Sequence, residues 1–226
     1  MKVLFIGNSH TYMNDMPQLV REMIENVTGN PCEVVMLAYS ARSLKWHMGE
    51  EYFSERFNIL HGNYDYCVIQ EQAHPMTDEA DTIAYAGRIT ELCRKVNTTP
   101  IIFETWAEKA KPENQPEMNR RYQSLAKEQG ALLAPIGEIW SEVKDSADLY
   151  YRDGAHASAT GDYLIAMTLT KVITGELPSD DFLKTYDFTV PDNDWFPVKE
   201  NVEEEITSVS PQVAAMIRNA ITARLG

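Results

Sequence analysis

The chain has 226 residues, of which 44% are hydrophobic, so it is long enough to bury the core of one domain. Its formal net charge of −14 argues against nucleic acid or an anionic membrane as a partner, because both need basic patches. No segment approaches the roughly 18 apolar residues of a membrane span, and the amino terminus lacks the pattern of a signal peptide, so we expect a cytoplasmic protein.

Strand and helix patterns alternate along the chain. Short apolar runs predict five strands, and a 3.6-residue spacing of apolar side chains predicts the helices. In chain order they are strand 3–6, helix 15–28, strand 32–37, helix 44–60, strand 66–69, helix 78–96, strand 100–103, helix 113–129, strand 131–134, and helices 136–143, 159–174 and 211–225. This alternation is typical of a doubly wound parallel sheet with helices on both faces.

The end of the chain has a different character. Residues 178–197 are rich in Asp, Pro and aromatic residues and show no clear periodicity. Trp195 and Phe196 are poor residues to leave in water, so we expect this stretch to wrap over the domain. The sequence therefore predicts one main domain over residues 1–177, and an extension over residues 178–226 that packs on it.

The first strand runs into a polar turn, Gly7-Asn8-Ser9. In an open α/β sheet, ligands bind at the loops that follow the strands, so we expect the Ser9 hydroxyl in the crevice. A serine nucleophile needs a base within hydrogen-bond reach and a group that orients the base. His156 is the candidate base, and Asp153, three residues earlier, can bring its carboxylate to the other ring nitrogen. The residues indicate a catalytic triad of Ser9, His156 and Asp153.

Two motifs carry a family resemblance. Gly7-Asn8-Ser9-His10-Thr11 resembles the first block of the SGNH/GDSL hydrolases, and Asp153-Gly154-Ala155-His156 resembles their last block; the likeness spans residues 2–175. It implies ester hydrolysis through an acyl-enzyme, in which Ser9 attacks, His156 is general base and then acid, and Asp153 orients His156. Together with the alternation of elements, it leads us to expect a three-layer α/β/α sandwich, flavodoxin-like, with five parallel strands in the order 2-1-3-4-5.

The same resemblance implies an oxyanion hole made of the Ser9 backbone N–H, a second backbone N–H and a side-chain amide. The family's second block usually supplies a glycine, but the matching loop 38–44 has none, so Ala41 is the expected donor, and a requirement for φ > 0 would strain it. The third block is usually Gly-x-Asn-Asp, and here it begins Gln-Glu-Gln, as in a variant branch of the family. Gln72 stands at the place of the asparagine, and Gln70 remains possible.

Other side chains follow the predicted strands. His74 comes after the expected oxyanion loop and Trp106 after the fourth strand, so both are candidates to line the substrate pocket. Glu71 and Glu104 also end strands, and a paired-carboxylate site is conceivable, although nothing in the sequence sets their separation.

Signatures of metal and cofactor sites are missing from the sequence. It contains no HExxH, no GxGxxG and no Walker loop, and we expect no metal and no cofactor. Three cysteines show no metal-ligand spacing and are expected to be reduced and buried: Cys32, Cys67 and Cys93.

The sequence thus predicts a serine hydrolase of small acyl esters, with an acetyl group on a carbohydrate as the substrate that the family suggests. A small-molecule ester is the expected partner, and the oligomeric state is left open. Because the glycine and the asparagine are missing, one alternative is a catalytically impaired binding protein on the same scaffold. A second alternative uses residues 8–11 to hold phosphate or flavin mononucleotide at a helix amino terminus, although the net charge of −14 opposes an anion.

Overall fold

A five-stranded parallel sheet organises the protein. The computed structural model describes residues 1–72, 78–187 and 205–226. The strand order is β2-β1-β3-β4-β5, which confirms the expected order and places β1 between β2 and β3. The strands are β1 (Lys2–Gly7), β2 (Glu33–Ala38), β3 (Tyr66–Ile69), β4 (Thr99–Phe103) and β5 (Leu132–Ala134).

Helices connect the strands and follow the last one. They are α1 (Ser9–Tyr12), α2 (Met16–Thr28), α3 (Leu44–Gly49), α4 (Tyr52–His61), α5 (Glu79–Lys95), α6 (Gln115–Gln129), α7 (Ile136–Val143), α8 (Ala159–Thr174) and α9 (Pro211–Leu225). The single helix predicted over residues 44–60 is wrong, because α3 ends at Gly49 and α4 begins at Tyr52. Glycine is a poor helix former, so the break falls where the local preference for helix is weakest.

The sheet has an apolar core on each face. Alternate residues of β1 point to opposite faces, with Val3 and Phe5 in one core, and Leu4 and Ile6 in the other. Helices α2, α7, α8 and α9 contribute to the first core, and α3 to α6 contribute to the second. This is the α/β/α sandwich that the alternation of elements predicts. Within the described residues, no helix is long and apolar enough to cross a membrane.

The end of the chain returns to the first core. Helix α9 buries Ile217 and Ile221 there. A second sheet of two antiparallel strands, β6 (Lys184–Asp187) and β7 (Glu205–Ser208), was not predicted from the sequence. Its first strand is tied to α2, because the Tyr186 hydroxyl lies 2.5 Å from Glu22 Oε1. Trp195 and Phe196 lie outside the described residues, and the division of the chain at residue 177 stays a prediction.

Candidate active site

The turn after β1 presents Ser9 at the carboxyl edge of the sheet. Asn8 caps α1, since its side-chain oxygen accepts from the His10 amide at 3.1 Å. Its side-chain amide donates to the Arg42 carbonyl at 3.1 Å, which ties the turn to the loop after β2. Both ends of the Asn8 side-chain amide therefore have backbone partners. Ser9 follows as the first residue of the helix.

A chain of hydrogen bonds joins Ser9 to the loop before α8. His156 Nε2 lies 2.8 Å from Ser9 Oγ, and His156 Nδ1 lies 2.6 Å from Asp153 Oδ2. An ionised carboxylate can only accept, so Nδ1 carries the proton and Nε2 is left to accept from the serine hydroxyl. The structure thus brings together the three residues for which the sequence predicts catalytic roles.

The loop that carries Asp153 and His156 is held by its own hydrogen bonds. Asp153 Oδ1 accepts from the amides of Ala155 at 2.9 Å and His156 at 3.0 Å, which closes a tight turn. Gly154 has φ +70, a left-handed conformation that suits glycine. The Tyr151 amide donates to the His156 carbonyl at 2.8 Å. Because Asp153 and His156 are only three residues apart, this one short loop carries both the base and the group that orients it.

The charge of Asp153 is stabilised by this geometry. Partial burial by itself raises the pKa of the carboxyl group, but the hydrogen bonds from the His156 ring and from the Ala155 and His156 amides outweigh it. The net effect holds the pKa of Asp153 well below its usual range. Asp153 therefore stays ionised at neutral pH, as an orienting carboxylate requires.

Two aromatic residues contact His156 or the loop that carries it. The His10 ring lies 4.5 Å from the His156 ring, centroid to centroid, and 5.3 Å from the Trp106 ring. Trp106 is fully buried, stacks on Trp140 at 4.1 Å, and donates from Nε1 to the Ala155 carbonyl at 2.9 Å. The expectation that Trp106 lines the pocket is therefore wrong: it belongs to the core and anchors the catalytic loop. Sequence reasoning missed His10, for which its place next to Ser9 was the only signal.

Gln70 is a structural residue of the serine turn. Its side chain is fully buried, and Oε1 accepts from the Asn8 amide and from the Thr11 hydroxyl, both at 2.9 Å. Its Nε2 donates to the Glu71 carbonyl. Because both ends of the amide are engaged inside the protein, the structure does not place Gln70 as a donor to substrate.

Gln72 lies at the surface beyond the end of β3. Its side chain is exposed, and its backbone amide donates to Glu71 Oε1 at 2.6 Å. Of the two glutamines, Gln72 is the one whose side chain is accessible to a substrate. His74 falls in residues 73–77, outside the described residues, so its pocket role stays a prediction.

The two glutamates that end strands do not form an open carboxylate pair. Glu104 is fully buried, and burial, with the nearby Glu138 carboxylate, raises its pKa to about 8. Glu71 is buried too, and this raises its pKa, although hydrogen bonds from Gln72, Leu44 and Thr82 oppose the shift. Both carboxyl groups are buried in the protein interior, away from solvent. Among the described residues, no group of three or more His, Cys, Asp or Glu side chains could hold a metal ion.

Ala41 stands where the resemblance places a glycine, and its backbone adopts φ +56. A side chain with a Cβ is strained in this left-handed conformation by about 1–2 kcal/mol. The loop nevertheless lies beside the serine turn, because the next carbonyl, that of Arg42, accepts from Asn8. The backbone of Ala41 thus adopts a left-handed conformation of the kind that glycine favours.

We expect Ala41→Gly to stabilise the protein by up to about 1 kcal/mol, because the relief of strain exceeds the entropy that glycine adds to the unfolded chain. Activity should stay near the wild-type level, since the backbone N–H is unchanged. Thermal unfolding and kcat for p-nitrophenyl acetate measure the two effects. The matched control is Ala215→Gly in α9, an exposed helical position, where the same change should destabilise. Equal destabilisation by both changes would contradict the strain at Ala41.

No protein-family model and no curated protein sequence matches the chain. Solved structures do match it. A protein from Slackia heliotrinireducens, provisionally assigned as an SGNH hydrolase, is 25% identical with a TM-score of 0.66, covering 76% of this chain and 98% of that one. A catalytic mutant of an acetylxylan esterase from Geobacillus stearothermophilus is 15% identical with a TM-score of 0.65, covering 79% and 96%. A lipase/acylhydrolase from Enterococcus faecalis is 15% identical with a TM-score of 0.59, covering 79% and 98%. At 15% identity the last two show the shared fold alone.

Proposed function

We propose that this SGNH/GDSL-type carboxylic ester hydrolase cleaves small acyl esters through an acyl-enzyme formed on Ser9. The observation that carries the proposal is the hydrogen-bonded chain from Asp153 to His156 at 2.6 Å and from His156 to Ser9 at 2.8 Å. A serine hydroxyl is a weak nucleophile until an oriented base accepts its proton. The geometry supports that role for each of the three residues.

The reaction has two halves. Ser9 Oγ attacks the ester carbonyl carbon while His156 Nε2 takes the hydroxyl proton, and the tetrahedral intermediate collapses as His156 gives that proton to the leaving alcohol. Water then attacks the acyl-serine, His156 takes the proton of the water, and the proton returns to Ser9 Oγ as the carboxylic acid leaves. Asp153 stabilises the imidazolium that forms in both halves.

The negative charge on the intermediate needs hydrogen-bond donors. The hydrogen bonds found among residues 1–72, 78–187 and 205–226 leave the backbone amides of Ser9 and Ala41 unused, which supports them as two donors. The exposed side-chain amide of Gln72 is the third, in the place that the resemblance gives to asparagine. Its longer side chain can carry the same donor group.

Gln72→Ala is expected to lower kcat by about 100- to 1000-fold with little change in stability, the usual cost of one oxyanion donor. Gln70→Ala is the matched comparison. It should destabilise the fold by about 1–3 kcal/mol or more, because the buried Asn8 amide and Thr11 hydroxyl lose their acceptor. Steady-state kinetics and thermal unfolding of both variants separate the two roles. Wild-type kcat in Gln72→Ala would remove Gln72 from the oxyanion hole.

The substrate that we favour is a short acyl ester, such as an acetyl group, on a neutral alcohol that includes carbohydrate. One structural neighbour is an acetylxylan esterase, and the net charge of −14 favours an uncharged substrate over nucleic acid. The test is hydrolysis of p-nitrophenyl esters of increasing acyl length and of acetylated xylo-oligosaccharides by the wild type and by Ser9→Ala. Activity that rises with acyl length would contradict the short-acyl proposal.

A further inference from the structure

A second histidine–carboxylate pair lies under the serine turn. His47 of α3 and Glu55 of α4 are both fully buried, and His47 Nδ1 lies 2.5 Å from Glu55 Oε1. The other ring nitrogen, Nε2, lies 2.8 Å from the carbonyl oxygen of Gly7, two residues before Ser9. The arrangement has the order of the Asp153–His156–Ser9 chain, with a backbone carbonyl in place of the hydroxyl.

The hydrogen-bond partners determine where the protons of this pair lie. A carbonyl oxygen can only accept, so His47 Nε2 carries a proton and donates to Gly7. The short contact between Nδ1 and Glu55 then holds one further proton, and the pair as a whole is neutral in either arrangement of that proton. The pair therefore avoids burying a net charge, which would be costly in the interior. The Gly7 carbonyl requires the proton on Nε2, and Glu55, bound to Nδ1 in either arrangement, fixes the ring orientation that aims Nε2–H at the turn.

The peptide between Gly7 and Asn8 is held on both sides. His47 donates to its carbonyl oxygen, which also accepts from the Tyr39 amide at 3.1 Å. On the other side, its N–H donates to Gln70 Oε1 at 2.9 Å. The turn also leaves no space for a side chain, because a Cβ on Gly7 would clash with Thr11 Oγ1 and Gln70 Oε1. Because Ser9 follows Asn8 directly, the orientation of this peptide determines the position of the Ser9 hydroxyl.

We propose that His47, held in its ring orientation by Glu55, is a positioning residue for the nucleophile. Its hydrogen bond orients the Gly7–Asn8 peptide so that Ser9 Oγ lies at 2.8 Å from His156 Nε2. A misplacement of about 1 Å at a reacting group costs about 100-fold in rate, so a buried donor at this point acts on catalysis without touching substrate. This inference rests on the proposed function, because it assigns His47 a part in the reaction of Ser9.

The test compares variants that remove or retain the donor. In His47→Leu/Glu55→Met, apolar side chains replace the whole pair, so no unpaired charge stays buried. Glu55→Gln keeps the pair, since the glutamine N–H₂ can donate to Nδ1 while Nε2–H still faces Gly7. Glu55 Oε2 has no partner among the described residues, so this variant loses no contact there. A fluorophosphonate probe measures both the fraction of Ser9 that reacts and the rate constant of the reaction.

We expect every site of the double variant to react, with a rate constant and kcat about 10- to 100-fold below wild type and KM little changed. Glu55→Gln should react within a few-fold of wild type. Should the double variant fail to fold, Glu55→Met and Glu55→Gln compare His47 without and with a partner at Nδ1, and Glu55→Met should be the slower because the ring orientation is no longer fixed.

Two results would overturn the inference. One is a wild-type rate constant in the double variant, or in Glu55→Met. The other is a smaller fraction of reactive Ser9 that still reacts at the wild-type rate, which is what a merely structural role predicts. Failure of the wild-type protein to react at all would instead refute the proposed function, so the two failures are distinguishable.

Discussion

Ser9→Ala is expected to abolish ester hydrolysis, with a loss in kcat of at least about 10⁴-fold on p-nitrophenyl acetate. The hydroxyl oxygen is the atom that becomes acylated. It is the group that His156 Nε2 contacts, so its removal leaves the base with no nucleophile to activate. The fold should be unaffected, since Ser9 begins α1 and the capping role belongs to Asn8. The measurements are steady-state kinetics and labelling by a fluorophosphonate, with the labelled residue located by peptide mass spectrometry.

The matched control is Ser124→Ala on α6, where the hydroxyl bonds Glu128 at the surface. That variant should keep both hydrolysis and labelling. Full hydrolysis by Ser9→Ala would contradict the proposed mechanism. A folded wild-type protein that is inert to every ester and to the fluorophosphonate would favour the alternative of a binding protein on the same scaffold.

Asp153→Asn is expected to lower kcat by about 10³- to 10⁴-fold, through the tautomer of His156. Asp153 Oδ1 accepts from two amides, so an asparagine in the same rotamer must place its oxygen there. Its N–H₂ group then faces His156 Nδ1 and donates to it. The remaining proton of the neutral ring moves to Nε2, which points at Ser9 and can no longer accept the hydroxyl proton. The loop keeps its turn while the base is lost.

The control for this variant is Asp145→Asn, whose side chain is 84% exposed. It should leave kcat unchanged.

The pH dependence of stability gives a second measurement. The pKa of Asp153 is depressed in the folded state, so its carboxylate stabilises the fold above the unfolded pKa of about 3.9, and this stabilisation is lost as the pH falls through the lower folded value. Asp153→Asn should lose this stabilisation at neutral pH. In the kinetic measurement, a wild-type kcat in Asp153→Asn would contradict the role of the carboxylate.

The oxyanion hole and the groups behind the triad show where sequence reasoning stops. Gln70 and Gln72 are separated by one residue and have the same side chain, yet one is fully buried and the other exposed. Trp106 follows a strand that ends at the site, which is where a pocket residue would stand, but it faces the core. The sequence holds no signal for these choices, because each depends on the direction in which a loop leaves the sheet.

The sequence by itself predicted the five strands and the three residues of the hydrogen-bonded chain, while the strand order followed from the family resemblance. Apolar runs and helical spacing are local signals, and a short loop such as residues 150–156 limits how far Asp153 can lie from His156. Only the tertiary structure decided the left-handed backbone of Ala41, the inward side chain of Gln70, the contact of the His10 ring with the His156 ring and the His47–Glu55 pair under Gly7. Each of these results from contacts between segments far apart in the chain. Their geometry depends on how the elements pack, because no local preference selects it.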